Sequence, residues 1–330
     1  MVRISDLVRK DDSPESDKNS LRFADKQSDF KKQGKYLKLY RELLEFMKRL
    51  WSDLKKNKAI NAKEVRDIIA KTVKEVRHNH EVFTNLAETY MDSSYPSIHS
   101  VNVAFICINM GLGLNYTDEQ LIELGIIGLL HDIGMVKIDE EIFNSSKKLT
   151  IEQLDEIRKH TWYGVKILKQ SKGFSPTVRK AIYSSHERID GTGYPNKIKN
   201  DDITELEQIV GLADTFEAMT HPRQYKEYLS PYEAIKSIVE TFGEKFSRRI
   251  LKALLEQITF YPIGYKVLLN TGDKASVIKV NSASPSRPVV SVFEDREGKT
   301  VSPSKEIDLS KQHFFYIKKT LLEFSSSTNG

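Results

Sequence analysis

The feature that most constrains this chain is a change of hydrophobic period at Pro262. From about residue 83 to residue 260, apolar side chains recur at i, i+3, i+4 and i+7 almost without a break, the spacing of helices that bury one stripe. Beyond Pro262 the period falls toward two. Val267-Leu268-Leu269, Ala275 to Val280 and Pro288 to Phe293 are short strand-like runs, separated by turns at Thr271-Gly272-Asp273 and Glu297-Gly298. The pattern predicts a mainly α fold with a small C-terminal antiparallel β subdomain, ending in an aromatic-rich segment and a Ser-rich tail. There are no internal repeats.

Upstream, Tyr40, Leu43, Leu44, Met47, Leu50, Trp51 and Leu54 mark one amphipathic helix. Val65, Ile68, Ile69, Val73 and Val76 mark a second, opened by a capping box at Asn61-Ala62-Lys63-Glu64. Stripes of this kind usually belong to a core, so docking on the helical domain is expected ahead of docking on a partner. Residues 1–35 are polar and lack an apolar period, as in a flexible leader. The expected organisation is a leader over 1–35, an N-terminal helical extension over 36–82, a main helical domain over 83–260 and a β-rich subdomain with its tail over 261–330.

A chain of 330 residues with 39% hydrophobic and 29% charged side chains can bury a sizeable core. Its net charge of +5 is mild. It admits a local basic patch facing an anionic substrate, but no Lys/Arg block suggests DNA binding. The single cysteine, Cys107, cannot form an internal disulfide, which fits a reducing interior. There is no signal-peptide pattern, and no apolar run approaches the roughly 20 residues needed to span a bilayer. The expectation is a cytoplasmic protein.

The chemistry gathers around His131-Asp132 in the run Leu129-Leu130-His131-Asp132-Ile133-Gly134. An imidazole and a carboxylate at a helix end give a divalent ion two ligands, and the carboxylate can bridge to a second ion. The negative end of the helix favours a cation there, and Gly134 reads as its C-cap. His160 and His186 fall on apolar faces of their helices, at i+3 from Ile157 and i+4 from Ile182. His99 opens the helix of Val101, Val103, Ala104 and Ile106, and Asp214 interrupts the apolar run Ile209 to Ala213. A lone histidine on such a face is more often a core residue than a ligand, and a lone aspartate more often a cap or ion-pair partner. Four such histidines in one helical region ask for a common explanation, and Asp is almost never buried without a partner. This donor set suits Mn, Fe or Zn, and two ions sharing Asp132 would clamp a phosphoryl group around a bridging hydroxide. His78, His80, His221 and His313 read as surface residues. Thr150-Ile151-Glu152-Gln153 and Ser175-Pro176 mark two helix starts.

His131-Asp132-Ile133-Gly134 followed by Asp190-Gly191-Thr192-Gly193-Tyr194-Pro195 resembles the HD-GYP family of the HD phosphohydrolase superfamily. The likeness spans about residues 83–260 and includes Tyr95 to Val103, Lys148-Leu149-Thr150, Lys159-His160, His186-Glu187-Arg188 and Ala213 to Phe216. It implies a helical HD-type bundle and a metal-dependent phosphodiesterase converting cyclic di-GMP to pGpG or GMP. His131 and Asp132 would be catalytic. His99, His131, Asp132 and Asp214 would hold one divalent ion, and Asp132, His160 and His186 the other, with Fe or Mn ahead of Zn, Mg or Ni. Substrate contacts would come from Arg188, Gly191, Tyr194, Pro195, Arg223 and Lys226, with Tyr194 packing beside a purine. Gly191 and Gly193 would permit tight turns, and Pro195 would fix one φ.

Some positions depart from the family pattern. Ser185 stands where a second consecutive histidine is common, Tyr95 where a third-metal glutamate occurs, and Met135 where a lysine often follows HDIG. Glu217 and Gln224 replace a common aspartate and proline. These favour two ions over three. Ser185 and Met135 also lend weight to the alternative of a catalytically weak cyclic-dinucleotide receptor. A hydrolase of mononucleotides or (p)ppGpp is a third reading, against which the Asp190 to Pro195 loop argues. A homodimer or a regulatory protein could engage the N-terminal helices. The C-terminal sheet resembles a tail on some family members and carries no assigned chemistry.

Overall fold

The computed structural model describes residues 24–78, 95–143, 145, 148–221, 228–281 and 284–321, with backbone alone at 24–36, 95 and 201. Of the expected leader, residues 1–23 lie outside the described residues. The rest is already helical: α1 runs Ala24–Lys55, because polar helix formers carry it upstream of its apolar stripe. After α2 (Ala62–His78) come α3 (Tyr95–Gly113) and α4 (Asp118–Leu130), then the short α5 (Glu140–Phe143), α6 (Ile151–Arg158) and α7 (His160–Ser171). The helical part closes with α8 (Pro176–Tyr183), α9 (Glu205–Thr220), α10 (Pro231–Phe242) and α11 (Arg248–Gln257).

The predicted stripes of the first two helices are buried in this chain's own core: Tyr40, Leu43, Leu44, Met47, Leu50 and Leu54 from α1, Val65, Ile69, Val73 and Val76 from α2. At Asn61 only half of the predicted capping box forms. Its Oδ1 accepts from Lys63 N at 3.1 Å and Glu64 N at 3.3 Å, while the Glu64 carboxylate pairs with Arg49 on α1. At Thr150 the box is complete with Gln153, and Ser175 caps α8 ahead of Pro176.

The pairing of α3 with α4 sets the register of the site. A Cβ on Gly128 would lie 2.9 Å from the Ala104 backbone, and one on Gly111 would lie 2.7 Å from Leu121. The two helices therefore run antiparallel at close range, and continuing that register places His99 opposite His131. Among the described residues no helix is long and apolar enough to cross a membrane.

The C-terminal sheet is antiparallel, in the order β4-β3-β2-β1-β5, from β1 (Lys266–Leu269), β2 (Lys274–Lys279), β3 (Val289–Glu294), β4 (Thr300–Asp308) and β5 (Ile317–Thr320). The three strands expected from alternation are the central ones, and Val267, Leu269, Ala275, Val277, Val290 and Val292 are their buried side. β4 and β5 escape a pattern search because they are edges. Most of β4 is exposed, and Pro303 is tolerated there because an edge strand need not donate on both sides.

One buried carboxylate makes a stability prediction. Glu207 closes the capping box of α9 with Thr204, but its Oε1 has no hydrogen-bond partner and finds Lys180 Nζ only at 3.8 Å. Burial pushes its carboxyl above the ordinary 4.5. The folded state then holds the proton more tightly than the unfolded chain. Its destabilising effect is absent well below pH 4.5 and grows as pH rises through and beyond that value. Glu207→Gln keeps an acceptor for Thr204. The variant is expected to melt about 1–3 °C above the parent at pH 8, a gap that closes on acidification. Thermal unfolding across pH checks this, and equal melting temperatures at pH 8 would refute it.

Candidate metal centre

Four helices and two turns converge on one cluster. α3 supplies His99, the C-terminus of α4 His131, and the following turn Asp132. The first residue of α7 is His160, the turn after α8 carries His186, and the middle of α9 supplies Asp214. His99, His131 and Asp214 present ligand-type atoms within 4.8 Å of one another, and Asp132, His160 and His186 form a second such group. Asp132 faces both. Its Oδ1 lies 3.2 Å from His160 Nε2, 3.4 Å from His131 Nε2 and 3.6 Å from His186 Nε2, while Oδ2 lies 3.5 Å from His99 Nε2. Asp214 Oδ1 stands 3.3 Å from His99 Nε2, and Oδ2 stands 3.6 Å from His186 Nδ1.

The hydrogen bonds around the cluster fix which nitrogens are free to ligate. His131 Nδ1 donates to the Gly128 carbonyl at 2.9 Å and His160 Nδ1 to the Ile157 carbonyl at 2.7 Å. His99 Nδ1 donates to the Glu217 carboxylate. Since these partners only accept, Nδ1 carries a proton in each, and in the neutral imidazole Nε2 is the nitrogen that can ligate. The Nε2 atoms face one another, His99 against His131 at 3.3 Å and His160 against His186 at 3.1 Å, beside two carboxylates. Imidazole nitrogens this close to one another and to two carboxylates need positive charge between them, which protons or a metal ion can supply. The nitrogen and oxygen donors present fit a divalent transition metal.

The electrostatics agree with ionised ligands. Burial pushes the Asp132 carboxyl up, but the charge of His131 and hydrogen bonds from His160, His186 and His99 hold it well below the usual carboxylate range. Asp214 behaves alike, burial being overcome by the His99 hydrogen bond and the surrounding imidazoles. Burial moves His186 downward, toward the neutral form that ligates; in His160 the same burial is outweighed by Asp132 and the shift is upward. Asp132 keeps 22% of its side-chain exposure and His131 none, so the cluster opens to solvent on the Asp132 side.

The loop from Asp190 to Pro195 lies against this cluster. Gly191 adopts φ 78°, which strains any residue with a Cβ, and a Cβ on Gly193 would come within 2.5 Å of the His186 carbonyl oxygen. Tyr194, expected beside a base, stacks on the His186 imidazole at 4.8 Å and 8° between planes, with Arg158 5.6 Å from its ring centroid. Pro195 is exposed. Arg188, expected at the substrate, donates to the carbonyls of Glu187 at 2.8 Å and Ser185 at 3.2 Å and to Thr215 Oγ1 at 3.4 Å. A buried guanidinium with those partners braces the loop. Arg223, Lys226 and Gln224 lie outside the described residues, as does His80.

Two expectations need correction. Gly134 does not cap α4; it lies in a 3₁₀ turn, Ile133–Lys137, pressed against α7. His221 is buried, not on the surface, because polar partners meet it inside: Asn102 Nδ2 at 3.4 Å and Glu217 Oε1 at 3.5 Å. Glu217, which stands where the family pattern has aspartate, is the carboxylate that orients His99. His78 and His313 are exposed as expected. Ser185 is buried and donates to the Ile182 carbonyl at 3.1 Å. Sequence reasoning gave Glu187 no role, yet its carboxylate accepts from Asn196 N at 2.6 Å and Ile198 N at 3.2 Å, stapling the far side of the loop. The one sign of it in the sequence is an acidic residue next to His186.

The fold and cluster define an HD-type domain. The sequence matches the HD domain family over residues 64–250, and a KOW domain associated with HD domains over 266–325. The chain belongs to the HD family and, by its paired HD and GYP stretches, to the HD-GYP branch. It is 29% identical over 262 residues to the cyclic di-GMP phosphodiesterase PA4108 of Pseudomonas aeruginosa, covering 79% of this chain and 63% of that protein. It is 27% identical over 216 residues to the cyclic di-GMP phosphodiesterase PdeB of Borreliella burgdorferi, covering 66% of this chain and 56% of that one. The chain thus spans less than two thirds of the length of either relative. Among solved structures it shares the fold of Bd1817, an HDG"Y"P protein of Bdellovibrio bacteriovorus, with a TM-score of 0.56 at 19% identity over 66% of this chain and 69% of that one.

Proposed function

We propose that this chain is a metal-dependent phosphodiesterase that opens a cyclic dinucleotide, cyclic di-GMP first, and that two divalent ions, Fe or Mn, occupy the cluster. The observation that carries the reading is the division of Asp132 between two ligand groups, Oδ1 toward His131, His160 and His186 and Oδ2 toward His99. His99, His131 and Asp214 would hold one ion, His160 and His186 the other, and Asp132 both. Bound there, such ions neutralise charge on a phosphoryl group and lower the pKa of water from about 16 to about 7.

The chain's own groups supply the rest. Backbone carbonyls and Glu217 hold His131, His160 and His99 in the ligating tautomer, which limits reorganisation when the site fills. Burial raises the Tyr194 phenol, keeping it a neutral hydrogen-bond donor at the mouth of the cluster. Arg158, half-exposed over the Tyr194 ring, is the cation we assign to a substrate phosphate in place of the lysine missing at Met135. Arg223 and Lys226 are proposed as further phosphate contacts.

Purified protein loaded with Mn²⁺ or Fe²⁺ is expected to linearise cyclic di-GMP. Chelation should lower turnover at least about a hundredfold, and added metal should restore it, since every ligand contact to the reacting phosphate is lost with the ions. A parallel assay with 3′,3′-cGAMP ranks the substrates. Tight binding without turnover in the metal-loaded protein would favour the receptor reading that Met135 and Ser185 suggest.

A further inference from the structure

We propose that the Tyr40 hydroxyl, on α1, positions the ligand histidine His99 through Asn102 and Glu217; this rests on the metal-dependent reading above. Tyr40 is buried and stacked on Phe105 at 5.8 Å. Its hydroxyl donates to Asn102 Oδ1 at 2.7 Å. Asn102 then has one orientation that serves both neighbours, with Nδ2 donating to Glu217 Oε1 at 3.1 Å. The other oxygen of Glu217 accepts from His99 Nδ1. One amide therefore connects α1 to a carboxylate on α9, and that carboxylate sets the tautomer and ring angle of a ligand on α3.

The link matters because Glu217 has a competing partner. His221 Nδ1 lies 3.5 Å from the same Oε1 that Asn102 holds. With Asn102 anchored by Tyr40, Oε2 stays on His99. Without that anchor the carboxylate can turn toward His221, and His99 Nε2 loses its fixed aim at Asp214 and His131. A glutamate in place of the shorter aspartate supplies the reach and also the extra rotatable bond that needs holding. Partners of this kind, one step behind a ligand, typically change metal affinity about 10–100-fold when removed.

The test is a Mn²⁺ titration of the full chain against a chromophoric chelator, with metal-free unfolding recorded for each variant. Tyr40→Phe keeps the ring stack and removes only the hydroxyl. It is expected to weaken one of two Mn²⁺ sites by up to about tenfold, and Asn102→Ala by about 10–100-fold. The other site should not change. His99→Ala should lose that same site, and adding Tyr40→Phe to it should have no further effect on the remaining one, the signature of two residues acting in series. Two intact sites with unchanged affinity in Tyr40→Phe and Asn102→Ala would overturn the relay alone. Equal weakening of both sites, or an effect of Tyr40→Phe persisting in the His99→Ala background, would overturn it too. A parent protein that takes up no Mn²⁺ would remove the metal reading and this inference together.

Discussion

Asp132→Ala is expected to reduce hydrolysis of cyclic di-GMP at least about a thousandfold, equivalent to about 4 kcal/mol of barrier, while leaving the helical circular-dichroism spectrum unchanged. Both halves follow from geometry. Asp132 sets its two oxygens toward both ligand groups and faces all four histidines of the cluster, so its loss weakens both proposed ion sites at once. It contributes little to the fold: it makes no side-chain capping bond to the turn it begins, and it is the most exposed of the six. The backbone bond from Met135 N to the Asp132 carbonyl, 2.8 Å, does not depend on the side chain. His131→Ala would be a poorer test, since that imidazole is fully buried and its removal leaves a hole. Turnover and bound metal should therefore fall together in Asp132→Ala. Full turnover in that variant would end the bridging role.

What could be read from the sequence divides along a physical line. Helix starts at Thr150 and Ser175 depend on residues three apart, and the stripes of α1 and α2 on neighbours three and four apart. His160 and His186 were visible because polar residues on apolar faces need a reason to be there. Local spacing therefore exposed the residues of the cluster. The groups that orient them were hidden, because each acts across the fold. Glu217 meets His99 across 118 positions and Tyr40 meets Asn102 across 62, and no local period reports such a pair. The partners of Arg188 were hidden for a related reason. A charged residue beside a glycine loop gives no sequence sign that the carbonyls of Ser185 and Glu187 accept from it. The edge strands were missed because exposure removes the alternation by which strands are found.

Gly134→Ala should be the most damaging single-methyl substitution in the domain. The glycine in HDIG looked like a helix cap, a role for which alanine costs little more than backbone strain. In the fold it is a contact. A Cβ there would stand 1.9 Å from the His160 carbonyl oxygen, 2.5 Å from Gly164 N and 2.8 Å from the His160 carbonyl carbon. These are backbone atoms at the start of α7, so no side-chain rotation relieves the clash. The chain must then separate the 3₁₀ turn at Ile133–Lys137 from α7, which also draws Asp132 away from His160, now 3.2 Å apart. The expected cost exceeds about 3 kcal/mol, a drop in melting temperature of at least about 5 °C. A second consequence separates this site from ordinary overpacking. In the fraction that folds, metal held by Asp132, His160 and His186 should be lost before metal held by His99, His131 and Asp214, because only the first group straddles the forced gap. Thermal unfolding with metal analysis on the folded fraction reads both. A melting temperature within about 1 °C of the parent would show that the turn and α7 do not meet at this distance.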